Sequence, residues 1–120
     1  MLRRLLKKLD HRTRRYLRLP ASWPVKIRLR SGPGTRHVAA TKNVSAGGIA
    51  VVLQKMFPVG TDLHIEIYVP PLDHTIRAEG EVVRCVTLRG GHFESGIHFL
   101  EIHPKDRAAL TKAVEKFQRS

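Results

Sequence analysis

Between Trp23 and Phe99 apolar and polar residues alternate with a period of two, the spacing of a strand with one dry face. Val25, Ile27 and Leu29 alternate with Lys26, Arg28 and Arg30. The cleanest stretch sets Leu63, Ile65, Ile67 and Val69 against His64, Glu66 and Tyr68. Strands are also expected at about 36–43 and 48–54, after a turn at 31–35. Ile76, Ala78, Gly80 and Val82 share one phase, which then shifts to Val83 and Cys85; such a slip predicts a β-bulge near Val82. Phe93, Ile97 and Phe99 mark the last strand.

Both ends of the chain change to helical spacing. Pro104 suits a first helical position, and Leu110, Ala113, Val114 and Phe117 form one apolar stripe, predicting a helix that caps an end of the sheet structure. At the other end Leu2, Leu5, Leu6 and Leu9 recur at i, i+3, i+4 and i+7 among basic residues, a short amphipathic segment over residues 1–11. Residues 10–22 are polar and arginine-rich and read as an extended or mobile connector, with Pro20 turning Leu19 away from helical geometry. Six short strands without intervening helices predict a mostly β fold: a six-stranded antiparallel barrel, a C-terminal helix and a basic N-terminal arm.

Charge sharpens this picture because it is uneven. Of the 22 Lys and Arg residues, 11 lie in residues 1–30 against a single acid, Asp10, so this segment carries +10 of the net +12. The arm seeks an anion, while the remaining 90 residues are close to neutral. Length and apolar content fit one domain. The longest uninterrupted apolar run, Ile49 to Leu53, is far below the ~20 residues of a spanning helix. Leu2 to Leu9 is too interrupted by Arg and Lys for an export signal. The single Cys85 forms no internal disulfide, and the cytoplasm is the expected compartment.

Two short motifs carry a resemblance. Arg14-Arg15-Tyr16-Leu17-Arg18 matches the RxxxR pattern of the PilZ family just before the first strand, and Asn43-Val44-Ser45-Ala46-Gly47-Gly48 matches its [D/N]xSxxG pattern at an early turn. Gly80-Glu81-Val82-Val83, Gly96-Ile97-His98-Phe99 and the C-terminal helix extend the likeness over roughly residues 12–118. The resemblance implies a PilZ-like domain over 12–120, a PilZ-type barrel, and binding of the bacterial second messenger cyclic di-GMP. It implies a ligand rather than a cofactor, and no enzyme activity. The dinucleotide's binding would be passed on through changed contacts with an effector protein that the sequence does not identify.

The residue chemistry agrees with that implication. Guanidinium groups meet phosphate oxygens bidentately, and can donate to guanine O6 and N7 or stack on the base. Arg14 and Arg18 are therefore the leading ligand-binding candidates, with Arg15 in support. Asn43 and Ser45, two apart in an extended chain, lie on one face where a base edge could meet both. Gly47 and Gly48 leave room for a flat ligand and tolerate positive φ in a tight turn.

Other readings are weaker. Without the second motif the arginines would be a solvated basic arm, and without the arginines Asn43 to Gly48 would be an ordinary turn. A basic barrel could carry single-stranded nucleic acid, but only seven aromatics occur, and Trp23, Phe93 and Phe99 look structural. A ligand-independent adaptor would keep the barrel and ignore the motifs. His92, Glu94 and His98 would share one strand face, yet no zinc-pair spacing accompanies them, and solvent-facing histidines are expected. No GxSxG or HExxH pattern is present. Residues 2–9 are a candidate for contact with anionic lipid or another protein, and both monomer and homodimer fit the sequence.

Overall fold

In the computed structural model, residues 17–31 and 34–118 are described. Arg14, Arg15 and the leucine segment of residues 2–9 lie outside them. Seven strands follow in chain order: β1 (Leu19–Pro20), β2 (Pro24–Leu29), β3 (His37–Ser45), β4 (Gly48–Leu53), β5 (Asp62–Val69), β6 (His74–Thr87) and β7 (Phe93–Ile102). Helix α1 (Pro104–Gln118) starts at the proline whose fixed φ and missing N–H suit a first turn. Every pairing is antiparallel, and the ladder β3-β2-β5-β6-β7-β4 closes on itself through β3 and β4. The six expected strands form the barrel, and β1 is an additional strand outside it.

Alternation decides which side of each strand is dry. Val25 and Ile27 of β2 stand opposite Ile67 and Ile65 of β5, and all four are at most 1% exposed. Leu63, Val69, Ile76, Val82, Ile97 and Phe99 continue this interior. Leu110, Ala113 and Val114 of α1 belong to the same core, so the helix covers part of the barrel. Phe117 departs from the expected stripe: it is 41% exposed, with Lys116 Nζ 6.0 Å from its ring centroid. It lies three residues beyond Val114, in the last turn, outside the buried cluster.

The bulge expected near Val82 is present, since the β6–β7 register shifts between Val82 and Arg84 and leaves Val83 as the inserted residue. Two further shifts were not expected from the sequence. One lies between Glu79 and Gly80 of β6. The other makes Lys42 of β3 the extra residue, with Thr41 opposite Val51 and Asn43 opposite Ala50. Both β3 motif residues therefore sit after a bulge.

The connector of residues 10–22 is extended at its C-terminal end, and there it is paired with the barrel. Leu19 is 7% exposed and pairs with Val44, while Pro20 pairs with Asn43. Thr41, 3% exposed, accepts from the Trp23 N–H at 2.9 Å and donates to the Ala21 carbonyl. The Thr41 N–H in turn donates to the Trp23 carbonyl at 2.9 Å. A buried backbone must find partners, and here one threonine supplies two of them. The chain from Leu19 to Trp23 is thus fixed along β3.

Candidate functional site

The antiparallel register of β1 does more than bury Leu19. With Leu19 opposite Val44 and Pro20 opposite Asn43, the next residue toward the N-terminus, Arg18, comes level with Ser45. The two motifs, about 25 positions apart in sequence, are thereby brought side by side. Arg18 is exposed and takes part in an interaction within the chain. Arg14 and Arg15 lie outside the described residues.

Asn43 and Ser45 project from the outer face of β3, since Val44 between them is fully buried. Asn43 is half-buried, and among the described residues its carboxamide has no hydrogen-bond partner. The Ser45 hydroxyl is engaged locally: Oγ accepts from the Gly47 N–H at 3.1 Å and the Gly48 N–H at 3.2 Å, and its proton lies toward the Gly48 carbonyl at 3.3 Å. Serine here shapes the turn, mimicking a backbone acceptor. The Gly47 carbonyl accepts from the Phe99 N–H at 2.8 Å, fastening the turn to β7.

Positive φ is not what the two motif glycines supply. Among the described residues the positive-φ glycines are Gly60, Gly90 and Gly91, so neither Gly47 nor Gly48 uses that freedom. A Cβ on Gly48 would collide with the Ile97 carbonyl oxygen and lie 3.2 Å from the His98 Cα. Gly48 is therefore dictated by the close backbone approach of β7. Gly80 is similar, since a Cβ there would come within 2.7 Å of Ile97 Cγ2.

One charged cluster borders this surface. Glu94, 8% exposed, receives Lys42 Nζ at 2.8 Å on one carboxylate oxygen and Arg84 Nη2 at 3.0 Å on the other. The Lys42 hydrogen bond is the largest influence and holds the Glu94 carboxyl below its ordinary value of 4.5. Burial works against that shift, and the positive charges of Lys42 and Arg84 add to it. The sequence placed Glu94 with His92 and His98 on one strand face, but its partners come from β3 and β6. Among the described residues no group of three or more His, Cys, Asp and Glu side chains could hold a metal ion. Arg84 was not singled out in the sequence, because its ion pair with Glu94 depends on how β6 and β7 align.

A concavity of about 670 Å³ lies where β6 and β7 meet the start of α1, with His64, Arg77, Glu79 and Arg107 among its lining. Its charges largely satisfy one another: His64 Nδ1 is 2.7 Å from Glu79, Arg77 lies 3.6 Å from Glu66, and Arg30 approaches both Glu79 and Glu101. A cleft of balanced charge has little to offer an anion compared with the motif face.

The family model described as PilZ domain matches residues 12–116. Among solved structures, the Bacillus subtilis inhibitor of motility MotI/DgrA is 29% identical with a TM-score of 0.75, covering 88% of this chain and 51% of that one. This chain therefore spans about half the length of that relative. The PilZ domain of YcgR from Escherichia coli, determined with c-di-GMP, gives 0.66 at 16% identity, covering 88% and 91%. The PlzA protein of Borreliella burgdorferi, also in complex with c-di-GMP, gives 0.64 at 20% identity, covering 93% and 45%. No curated protein matches. Among the described residues no helix is long and apolar enough to cross a membrane.

Proposed function

Because this chain belongs to the PilZ domain family, we propose that it is a receptor for cyclic di-GMP, bound between the N-terminal arginines and the outer face of β3 and β4. The observation that carries this reading is the β1 register, which sets Arg18 level with Ser45 and beside Asn43. Arg14 and Arg18 pair with phosphate or the guanine Hoogsteen edge, and Arg15 adds charge. Asn43 offers to a base edge a carboxamide that has no hydrogen-bond partner among the described residues. Ser45 holds the turn in shape, while Gly47 and Gly48 keep the approach free of side chains.

The arm folds over the barrel when the dinucleotide binds, and the changed surface alters contact with an effector protein in the cytoplasm. The likeness to proteins determined with c-di-GMP supports the ligand. The single-stranded nucleic-acid reading loses support, because Trp23 and Phe99 are 7% and 2% exposed and present no stacking face.

Isothermal titration of the full chain with cyclic di-GMP tests the proposal, with GMP and a short oligonucleotide as controls. Selective saturable binding is expected. Arg18→Ala or Arg14→Ala should weaken it by about ten- to a hundredfold, the worth of a charge-assisted contact, without altering the circular dichroism of the barrel. Near-normal affinity in a folded Arg18→Ala protein would sink the assignment.

A further inference from the structure

The ladder register aligns five residues in one row across the outer surface: Pro20 of β1, Asn43 of β3, Ala50 of β4, Gly96 of β7 and Arg84 of β6. The middle of this row carries only small groups. Ala50 faces outward by alternation with Ile49 and Val51, yet is only 3% exposed, and Gly96 has no side chain. The next row sets Ser45, Gly48 and His98 side by side, so another glycine extends the low area. Three strand spacings separate Asn43 from Arg84, about 14 Å. Between them lies a flat platform with a polar amide at one side and a guanidinium at the other.

Arg84 lies down on that platform. Its Nε is 3.4 Å, and its Nη2 3.8 Å, from where a Cβ of Gly96 would stand, so the glycine makes room for the arginine to lie across β7. Nη2 then reaches Glu94, whose other oxygen holds Lys42 from the β3 bulge. Both cations are more than half exposed, 51% for Arg84 and 58% for Lys42, whereas Glu94 is 11% exposed at its side chain. A nearly buried carboxylate thus bonds two half-exposed cations at the edge of the proposed anion site. The geometry is that of an internal anion standing where a phosphate would be welcome.

We propose that Arg84 is a further ligand-binding residue, closing the far side of the platform from Asn43, and that Glu94 restrains it by competing with the ligand for its guanidinium. The inference rests on the cyclic di-GMP reading of the same face. On binding, Arg84 exchanges the Glu94 carboxylate for a phosphate or a guanine of the dinucleotide, while Lys42 stays on Glu94 and keeps the carboxylate paired. The affinity is therefore set partly by how firmly Glu94 holds Arg84, a brake that neither short motif contains.

Titration of the full chain with cyclic di-GMP, run on wild type, Arg84→Ala, Glu94→Gln and the double variant, tests the idea, with thermal melts to verify folding. Arg84→Ala is expected to weaken binding about tenfold. Glu94→Gln is expected to tighten it about two- to fivefold, the value of releasing a half-exposed ion pair. The double variant should bind no tighter than Arg84→Ala alone, because the brake acts through Arg84. Binding within about twofold of wild type in folded Arg84→Ala overturns the inference and leaves the receptor reading intact. Weaker binding in folded Glu94→Gln overturns the brake, since the carboxylate would then be supporting the ligand. A wild-type chain that does not bind cyclic di-GMP overturns both readings.

Discussion

Replacing Gly48 by alanine separates two explanations of a motif glycine. If Gly48 serves only to let a ligand approach, alanine leaves the free protein as stable as wild type. The structure argues otherwise, because the added methyl meets the Ile97 carbonyl oxygen and stands 3.1 Å from its carbonyl carbon, both of them backbone atoms in the neighbouring strand. A side chain could rotate away; a carbonyl in a ladder moves only if β4 and β7 separate around the Gly48–His98 and Ile49–Ile97 pairs. Overpacking of this kind costs about 1–3 kcal/mol, and weakening one or two ladder hydrogen bonds adds about 1 kcal/mol each. A total near 3 kcal/mol is a large part of the roughly 5–15 kcal/mol that stabilises a domain. At this chain length each kcal/mol corresponds to about 3–5 °C, so the melting temperature of Gly48→Ala should fall by about 10–15 °C in the absence of any ligand. Circular dichroism melts of the two free proteins measure it. A midpoint within about 2 °C of wild type would refute the packing argument and return Gly48 to a purely ligand-related role.

Two other outcomes are expected. Thr41→Val keeps the shape but removes the hydroxyl that satisfies the Trp23 N–H and the Ala21 carbonyl; it should destabilise by about 2 kcal/mol in chemical denaturation, and an unchanged midpoint would contradict the assigned role. Because the fold holds the Glu94 carboxyl below 4.5, the stabilisation it supplies is complete above that value and lost as the pH falls through the lower folded value. The stability difference between wild type and Glu94→Gln should therefore shrink on acidification, and a difference unchanged down to about pH 3 would contradict it.

The barrel was legible because its information is local. Alternation at Val25 to Arg30 and Leu63 to Val69 gave both strands and their dry faces, and the phase slip after Val82 gave the bulge. Pro104 gave the start of the helix, but Phe117 shows the limit, since a stripe says which face is apolar and not how far the covered surface extends. The bulge at Lys42 was illegible because the neighbouring buried residue, Thr41, is polar and leaves no apolar slip to read. Strand β1 is two residues long and depends on a partner far along the chain, so no periodicity could announce it. The site divides the same way. Asn43 and Ser45 were placed on one face from spacing alone, whereas the ion pair of Arg84 with Glu94 came into view only through the alignment of β6 and β7.

Strand β1 touches the barrel by two residue pairs, while β5 and β6 share eight consecutive ones and the closed ladder leaves its six members no unzipped side. The amides of Leu19 to Trp23 should therefore exchange with deuterium much sooner than those of β5, through local detachment that leaves the barrel shut. Occupancy of a nearby site by any ligand that grips Arg18 would be registered there first, as slowed exchange at the four amides of Leu19, Ala21, Ser22 and Trp23 rather than as a shift of the whole domain. In that sense the barrel is the stationary jaw of a clamp, and β1 is its hinge pin.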